Sequence, residues 1–181
     1  AQNLHRNWVR IPHVTFNDDA DMTDLEAFRK AKKAQAEKQK LKLTIMPFLL
    51  KAAAKALQAF PRINSSLSGN GEDLILKQYY HIGVAIDTPK GLIVPVIRDI
   101  DKKSIFEIAA DYTDLVERGR IGKIKPNEMQ GGTFSISSLG ILGTTGFTPI
   151  INMPEVAILG VSKSAIKPQY DAKTQSFVPR M

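Results

Sequence analysis

Apolar positions recur along this chain at two spacings, and the spacing predicts the elements. Leu25, Phe28 and Ala31 or Lys32 set the inner edge of a helix expected to run to about Lys38. Thr23-Asp24-Leu25-Glu26 reads as its capping box, with Thr23 as N-cap and Glu26 at the third helical position. A second helix is expected from near Thr44, with Thr44 as its cap and Pro47 in the first turn. Phe48, Leu49, Ala52, Ala53, Leu57 and Phe60 give it a wide apolar face, and Pro61 stops it. A third helix is expected from a Ser104 cap to about Arg118, turning Ile105, Ile108, Ala109, Tyr112, Leu115 and Val116 inward. Lys125–Met129 reads as a short helix, and residues 1–12 as irregular chain or a helix end closed by Ile11-Pro12.

Strands are expected at His13–Phe16, Asp73–Gln78, His81–Asp87, Leu92–Arg98 and Glu155–Val161. Thr88-Pro89-Lys90-Gly91 suits a turn with proline early. Asn64–Leu67 and Ser68–Gly71 are rich in turn formers, and Ile166–Tyr170 with Gln175–Val178 reads as a hairpin. The stretch GGTFSISSLG, residues 131–140, alternates Phe134 and Ile136 with Thr133, Ser135 and Ser137. A strand places such residues on opposite faces, so one face is apolar and the other carries three hydroxyls. A loop rich in glycine and threonine follows. Without a strict strand–helix–strand repeat, the fold class is α+β: a mixed sheet with helices packed on it.

Composition narrows the chemistry. The 181 residues suit one domain, 43% hydrophobic and 24% charged, with no stretch of 18 apolar residues to span a membrane. There is no cysteine, hence no disulfide and no thiolate chemistry. The formal charge of +7 is concentrated at Arg29, Lys30, Lys32, Lys33, Lys38, Lys40 and Lys42. That run reads as a solvated helix face or as a site for a small anionic ligand. Nucleic acid fits less well, because no recognition motif or interleaved aromatics accompany the lysines. His5, His13 and His81 lack metal-ligand spacing, so no metal site is expected, and no nucleophile elbow or phosphate-binding glycine loop occurs. The hydroxyl strand alone supports two readings. One serine donates to a developing oxyanion, or the hydroxyls bond each other and neighbouring backbone.

The motifs RNWVRIPHVT, DLEAFRKAKK, KLTIMPFLLKAAAKAL, PRINSSL, HIGVAIDTPKGLIVPVIRD, MQGGTFSISSLG and FTPIINMPEVAILGVSKS cover almost the whole chain. In order and spacing they resemble the catalytic domain of the dihydrolipoamide acyltransferases, core components of 2-oxo acid dehydrogenase complexes. NSSL, SISSLG and NMPEVAILGVSKS look most like the bacterial acetyltransferase branch, that of the pyruvate dehydrogenase complex. The resemblance implies a chloramphenicol-acetyltransferase-like fold, a mixed sheet flanked by helices, assembled as a homotrimer and then a larger hollow core. It implies transfer of an acetyl group between a dihydrolipoyl arm, carried on a separate lipoyl domain, and coenzyme A. The decarboxylase and dihydrolipoamide dehydrogenase components are the implied partners, and the bacterial cytoplasm the implied compartment. Ser137 matches the serine that stabilises the tetrahedral intermediate. Arg29, Thr44, Asp87 and Ser138 match positions lining the coenzyme A site. Arg29 can fork onto phosphate oxygens, although an ion pair with Glu26 or Asp24 is the plainer use of its charge.

The family's catalytic base is a histidine in a D-H-R-x-x-D-G motif, drawn from a neighbouring subunit, and that motif is not among these 181 residues. His5, His13 and His81 lie in other motifs and do not replace it. The expectation is a catalytic domain incomplete at its C-terminus, with a sheet edge or apolar face left for another segment to cover. A non-catalytic scaffold subunit of such a complex is the alternative. A thiol of pKa about 8.5 is mostly protonated at neutral pH, and general base catalysis contributes about 10²–10⁴-fold. A polypeptide consisting of these 181 residues and no more is therefore expected to transfer acetyl groups slowly or not at all. Robust turnover by such a chain of verified mass would contradict this.

Overall fold

The computed structural model describes residues 2–181. Among them, four α-helices and ten short strands form around a mixed sheet. The helices are α1 (Gln2–Arg10), α2 (Thr23–Lys38), α3 (Met46–Ala59) and α4 (Ile105–Arg120). The strands are β1 (Ser65–Leu67), β2 (Leu74–Leu76), β3 (Ile82–Val84), β4 (Ile86–Thr88), β5 (Gly91–Ile93), β6 (Val96–Ile97), β7 (Phe134–Ser138), β8 (Ile158–Val161), β9 (Lys167–Asp171) and β10 (Ser176–Arg180). The central sheet has the order β6-β3-β7-β8. β6 is antiparallel to β3, whereas β3, β7 and β8 run parallel. Three antiparallel hairpins, β1-β2, β4-β5 and β9-β10, complete the strands. The expected α+β class and mixed sheet are found.

The core lies between α3, α4 and the sheet. Leu50, Ala54 and Leu57 of α3 meet Ile108 and Leu115 of α4 and Ile82, Val84, Ile97 and Ile136 of the sheet. Ser104 caps α4 with a complete capping box: its hydroxyl accepts from the Glu107 amide, and the Glu107 carboxylate accepts from the Ser104 amide at 2.7 Å. Arg118 near the other end of α4 bonds both carboxylate oxygens of Glu128 at 3.0 and 2.8 Å. This bond is the main reason that the Glu128 carboxyl is held at a pKa of about 2.

Several local expectations are corrected. Of the two readings of the first segment, residues 2–10 take the helical one, as α1. Thr23 does not cap α2: Met22 occupies that position, and the Glu26 amide bonds the Met22 carbonyl. The Thr23 hydroxyl donates to Asp21 and accepts from the Met181 amide, while the Glu26 carboxylate is taken by Arg29. Ile45, not Thr44, precedes α3, because the helix begins only at Met46. Ala52 and Phe60 face solvent, and Leu50 and Ala54 take the buried stripe. Ser65–Leu67 is a strand rather than a turn, held by buried Asn64, whose amide donates to the carbonyls of Lys77 and Tyr79. His13–Phe16 forms no strand; Val14 and Phe16 are exposed, and the segment is tied down through the His13 ring instead. The long strands expected at His81–Asp87 and Leu92–Arg98 each break in two, with buried Pro95, which lacks an amide donor, at one break.

Leu50 is fully buried against both α4 and the sheet side of the core. Leu50→Ala in the full-length protein is expected to cost about 2–5 kcal/mol, read from a lowered denaturant midpoint at constant m-value. Ser104→Ala is expected to cost about 0.5–2 kcal/mol by loss of the cap, read in the same way.

Candidate functional site

β7 is the inner strand on which the site is built. Val84 of β3 stands opposite Ile136, and the Ala85 amide donates to the Ile136 carbonyl at 2.9 Å. On the other side Ser137 stands opposite Gly160 and Ser138 opposite Val161. Phe134 and Ile136 are buried, as their apolar character requires. The hydroxyl face is not a simple solvent face: Thr133 and Ser135 are also buried, and exposure begins only at Ser137 and Ser138. Thr133 bonds the His81 carbonyl through both its amide, at 2.8 Å, and its hydroxyl, at 3.2 Å. The last turns of β7 and β8 are tied by the Leu139 amide to the Val161 carbonyl at 2.9 Å. A Cβ on Gly160, which stands opposite Ser137, would come 3.1 Å from the Phe147 ring, so a larger residue there would press on that ring.

Asp87 is brought to the same end of the sheet. β3 runs parallel to β7, and the chain passes directly into β4, where exposed Asp87 pairs with Leu92. Ser137, Ser138 and Asp87 therefore share the carboxyl end of the parallel strands. Arg29 and Thr44 form a separate pair. Arg29 is bidentate to Glu26, with both contacts at 2.7 Å, and donates to the Leu43 carbonyl at 2.8 Å, one residue before exposed Thr44. The Glu26 hydrogen bond raises the Arg29 pKa, and the same bond lowers that of Glu26. Of the five guanidinium N–H groups, the bonds to Glu26 and Leu43 use three. Beside this pair, Phe28, Lys32, Gln35, Leu43, Phe48 and Phe106 line an apolar cavity of about 210 Å³. Among the described residues no hydrogen bond or ion pair joins Arg29 or Thr44 to Ser137, Ser138 or Asp87.

Two histidines are committed to structure. The His13 ring bonds the Ile11 carbonyl at 2.8 Å, so Nδ1 donates, and Nε2 accepts from the Ile151 amide at 3.0 Å. His81 Nδ1 accepts from the Asp99 amide at 3.0 Å. The residue that sequence reasoning passed over is Glu155. The sequence pattern places it only at the head of an apolar strand, yet it precedes β8 and is 6% exposed. Burial pushes its carboxyl up to a pKa of about 7, and the neighbouring Ser135 and Asn152 side chains offset only part of that shift. The signal was present in NMPEVAILG, a single carboxylate at the head of an apolar run with no basic residue until Lys163.

Residues 1–181 match the family described as 2-oxoacid dehydrogenases acyltransferase (catalytic domain). The chain is 56% identical, over 181 residues, to the dihydrolipoyllysine-residue acetyltransferase component of the pyruvate dehydrogenase complex of Pseudomonas aeruginosa, covering 100% of this chain and 33% of that protein. It is equally 56% identical to the Haemophilus influenzae component of the same name, covering 99% of this chain and 32% of the relative. The chain thus spans about a third of the length of these curated relatives. A structure of Azotobacter vinelandii dihydrolipoamide acetyltransferase, determined to investigate the catalytic roles of a serine, a histidine and an asparagine, superposes with a TM-score of 0.96 at 54% identity. That match covers 99% of this chain and 73% of the other. The cubic core of a pyruvate dehydrogenase multienzyme complex superposes equally well, with a TM-score of 0.96, 54% identity and the same coverage of both chains. With the family match running through every element that builds the Ser137 end of the sheet, the chain belongs to the 2-oxoacid dehydrogenase acyltransferase catalytic domains.

Proposed function

We propose that this domain transfers an acetyl group between a dihydrolipoyl thiol and coenzyme A as part of a pyruvate dehydrogenase complex. The observation that carries the reading is the position of Ser137, on the inner strand β7 at the carboxyl end of three parallel strands, where the buried hydroxyl face first opens to solvent. It is supported by relatives named for this activity at 56% identity.

In the forward direction the coenzyme A thiol loses its proton and its sulfur attacks the carbonyl carbon of S-acetyl-dihydrolipoamide. The carbonyl oxygen takes up the negative charge. A hydroxyl donor aimed at that oxygen stabilises the tetrahedral species more than the planar thioester, which is what accelerates the step. The bond to the dihydrolipoyl sulfur then breaks, and that sulfur receives the proton. Ser137 is the proposed donor. The proton is proposed to move through the histidine of the family's D-H-R-x-x-D-G motif on a neighbouring subunit, a group outside these residues. Arg29 and Thr44, beside the apolar cavity, and Asp87 and Ser138, at the Ser137 end, are the proposed contacts for coenzyme A. Arg29 suits its phosphates, since its two remaining N–H groups extend the fork already held by Glu26.

A homotrimer and a larger hollow core are the proposed assembly, served by lipoyl domains and by the decarboxylase and dihydrolipoamide dehydrogenase components in a bacterial cytoplasm. Val14 at 81%, Phe16 at 94% and Ile141 at 98% exposure suit burial between subunits. No helix of the described residues is long and apolar enough to cross a membrane.

Ser137→Ala in the full-length enzyme is expected to lower kcat about 10²–10³-fold, with KM for coenzyme A little changed, in an assay following acetyl-coenzyme A formation. Undiminished kcat would remove the role. Arg29→Ala is expected to weaken coenzyme A binding by about tenfold, the value of one charge-assisted hydrogen bond. Calorimetric titration of the assembled protein checks this.

A further inference from the structure

Glu155 is the only Asp or Glu in the buried class among the described residues, and the proposed reaction does not use it. Its surroundings are built rather than incidental. Glu155 Oε2 and Ser135 Oγ are both sealed from solvent, and neither has a hydrogen-bond partner among the described residues. Two glycines make room for them. A Cβ on Gly132 would stand 3.1 Å from Glu155 Oε1, and one on Gly83 would stand 2.8 Å from Ser135 Oγ. The position of the Gly132 Cβ is also 3.4 Å from Val96 and 3.9 Å from the Gly83 amide nitrogen, so carboxyl and hydroxyl share one narrow slot between β6, β3 and β7.

Among the described residues no positive charge serves that slot. The Arg98 guanidinium packs against Gly131 but donates to the carbonyls of Asn127 and Gln130. His81, at the head of β3, is occupied by the Asp99 amide. The loop before β8 offers the uncharged side chain of Asn152, and its carbonyl accepts the Glu155 amide. An ionised carboxyl has only acceptor oxygens, whereas a neutral one has an O–H to give. Ser135 and Asn152 can each donate to the ionised form, but neither brings a countercharge, and burial outweighs both; the neutral form can also give its own O–H to the Ser135 hydroxyl and avoids a buried charge with no opposite charge beside it.

Ser135 lies on the same face of β7 as Ser137, two residues before it. Three residues after Glu155 the chain enters β8, which holds Ser135 opposite Ile158 and Ser137 opposite Gly160. We infer that Glu155 is a positioning residue for Ser137, acting in its neutral form by holding Ser135 and the β7–β8 junction in register. The inference rests on the reading of Ser137 as the oxyanion donor.

The test uses full-length protein and three variants, Glu155→Gln, Glu155→Ala and Ser137→Ala, with kcat, KM for coenzyme A and melting midpoint followed from about pH 5 to about pH 8.5. The folded carboxyl keeps its proton to higher pH than the unfolded one. Stability of the wild type therefore falls as pH rises from the ordinary glutamate range and levels off above neutrality. The Gln variant, neutral throughout, lacks this fall. Its kcat relative to wild type is expected to rise severalfold across the range. Glu155→Ala is expected to lower kcat at every pH with KM nearly constant, and Gln to retain more activity than Ala. Parallel pH profiles of kcat for wild type and Gln, or an Ala variant with wild-type kcat, would overturn the inference. If Ser137→Ala keeps full turnover, the reading of Ser137 falls and takes the positioning role with it. If Ser137→Ala loses turnover while the Glu155 variants track the wild type, only the inference falls.

Discussion

The placement of β7 between two parallel neighbours is the constraint on which the rest depends. An inner strand has both rows of backbone groups paired, by β3 on one side and β8 on the other. Its register is set by Val84 opposite Ile136 and by Ser137 opposite Gly160. A slip of one residue would move Phe134 and Ile136 out of the core, so the buried apolar pair locks the orientation of every hydroxyl on the other face. The serine that emerges at the strand end is aimed by the hydrophobic effect acting on its neighbours.

The same constraint creates the polar problem behind the strand. Thr133 and Ser135 are buried with the strand and must find partners. Thr133 finds the His81 carbonyl. Ser135 Oγ is left without one, beside Glu155 in a slot that two glycines keep open. Elsewhere the molecule handles carboxylates conventionally. Glu128 takes Arg118 and Glu26 takes Arg29, and each carboxyl is lowered by its guanidinium. Glu155 has no such partner and its pKa moves in the opposite direction. A side chain that costs stability in ionised form, set beside Ser135, which lies two residues before the proposed donor on the same strand face, is more readily understood through the site than through the fold.

The residues proposed to contact coenzyme A divide between two places. Asp87 and Ser138 share the carboxyl end of the sheet with Ser137, while Arg29 and Thr44 sit where α2 meets the approach to α3, beside an apolar cavity. An extended ligand with a phosphate-bearing end and a reactive end suits two separated clusters better than one compact pocket. The ion pair of Arg29 with Glu26 does not oppose this, because a guanidinium held on one edge is pre-organised for an anion on the other.

Much of this was legible in the chain itself. Periodicity and local turn and cap residues located α2, α3 and α4, the Ser104 cap and the C-terminal hairpin, because each rests on neighbours a few residues apart. Strand alternation, a local property, showed a face of three hydroxyls at Thr133, Ser135 and Ser137, and the choice of Ser137 among them came from the family resemblance. What the sequence could not decide was every matter of competing partners. Thr23 and Glu26 have the pattern of a capping box, but Asp21, Met181 and Arg29 claim their polar atoms first. Asn64–Leu67 has turn composition, yet becomes a strand because Asn64 reaches carbonyls 13 and 15 residues away. Glu155 stands out as chemistry only when Gly83, Gly132 and Ser135, distant in sequence, close around it. Local spacing determines which faces a segment can offer; only the tertiary structure decides which of those faces lose their water, and the loss of water is what turns an ordinary carboxyl or hydroxyl into a functional one.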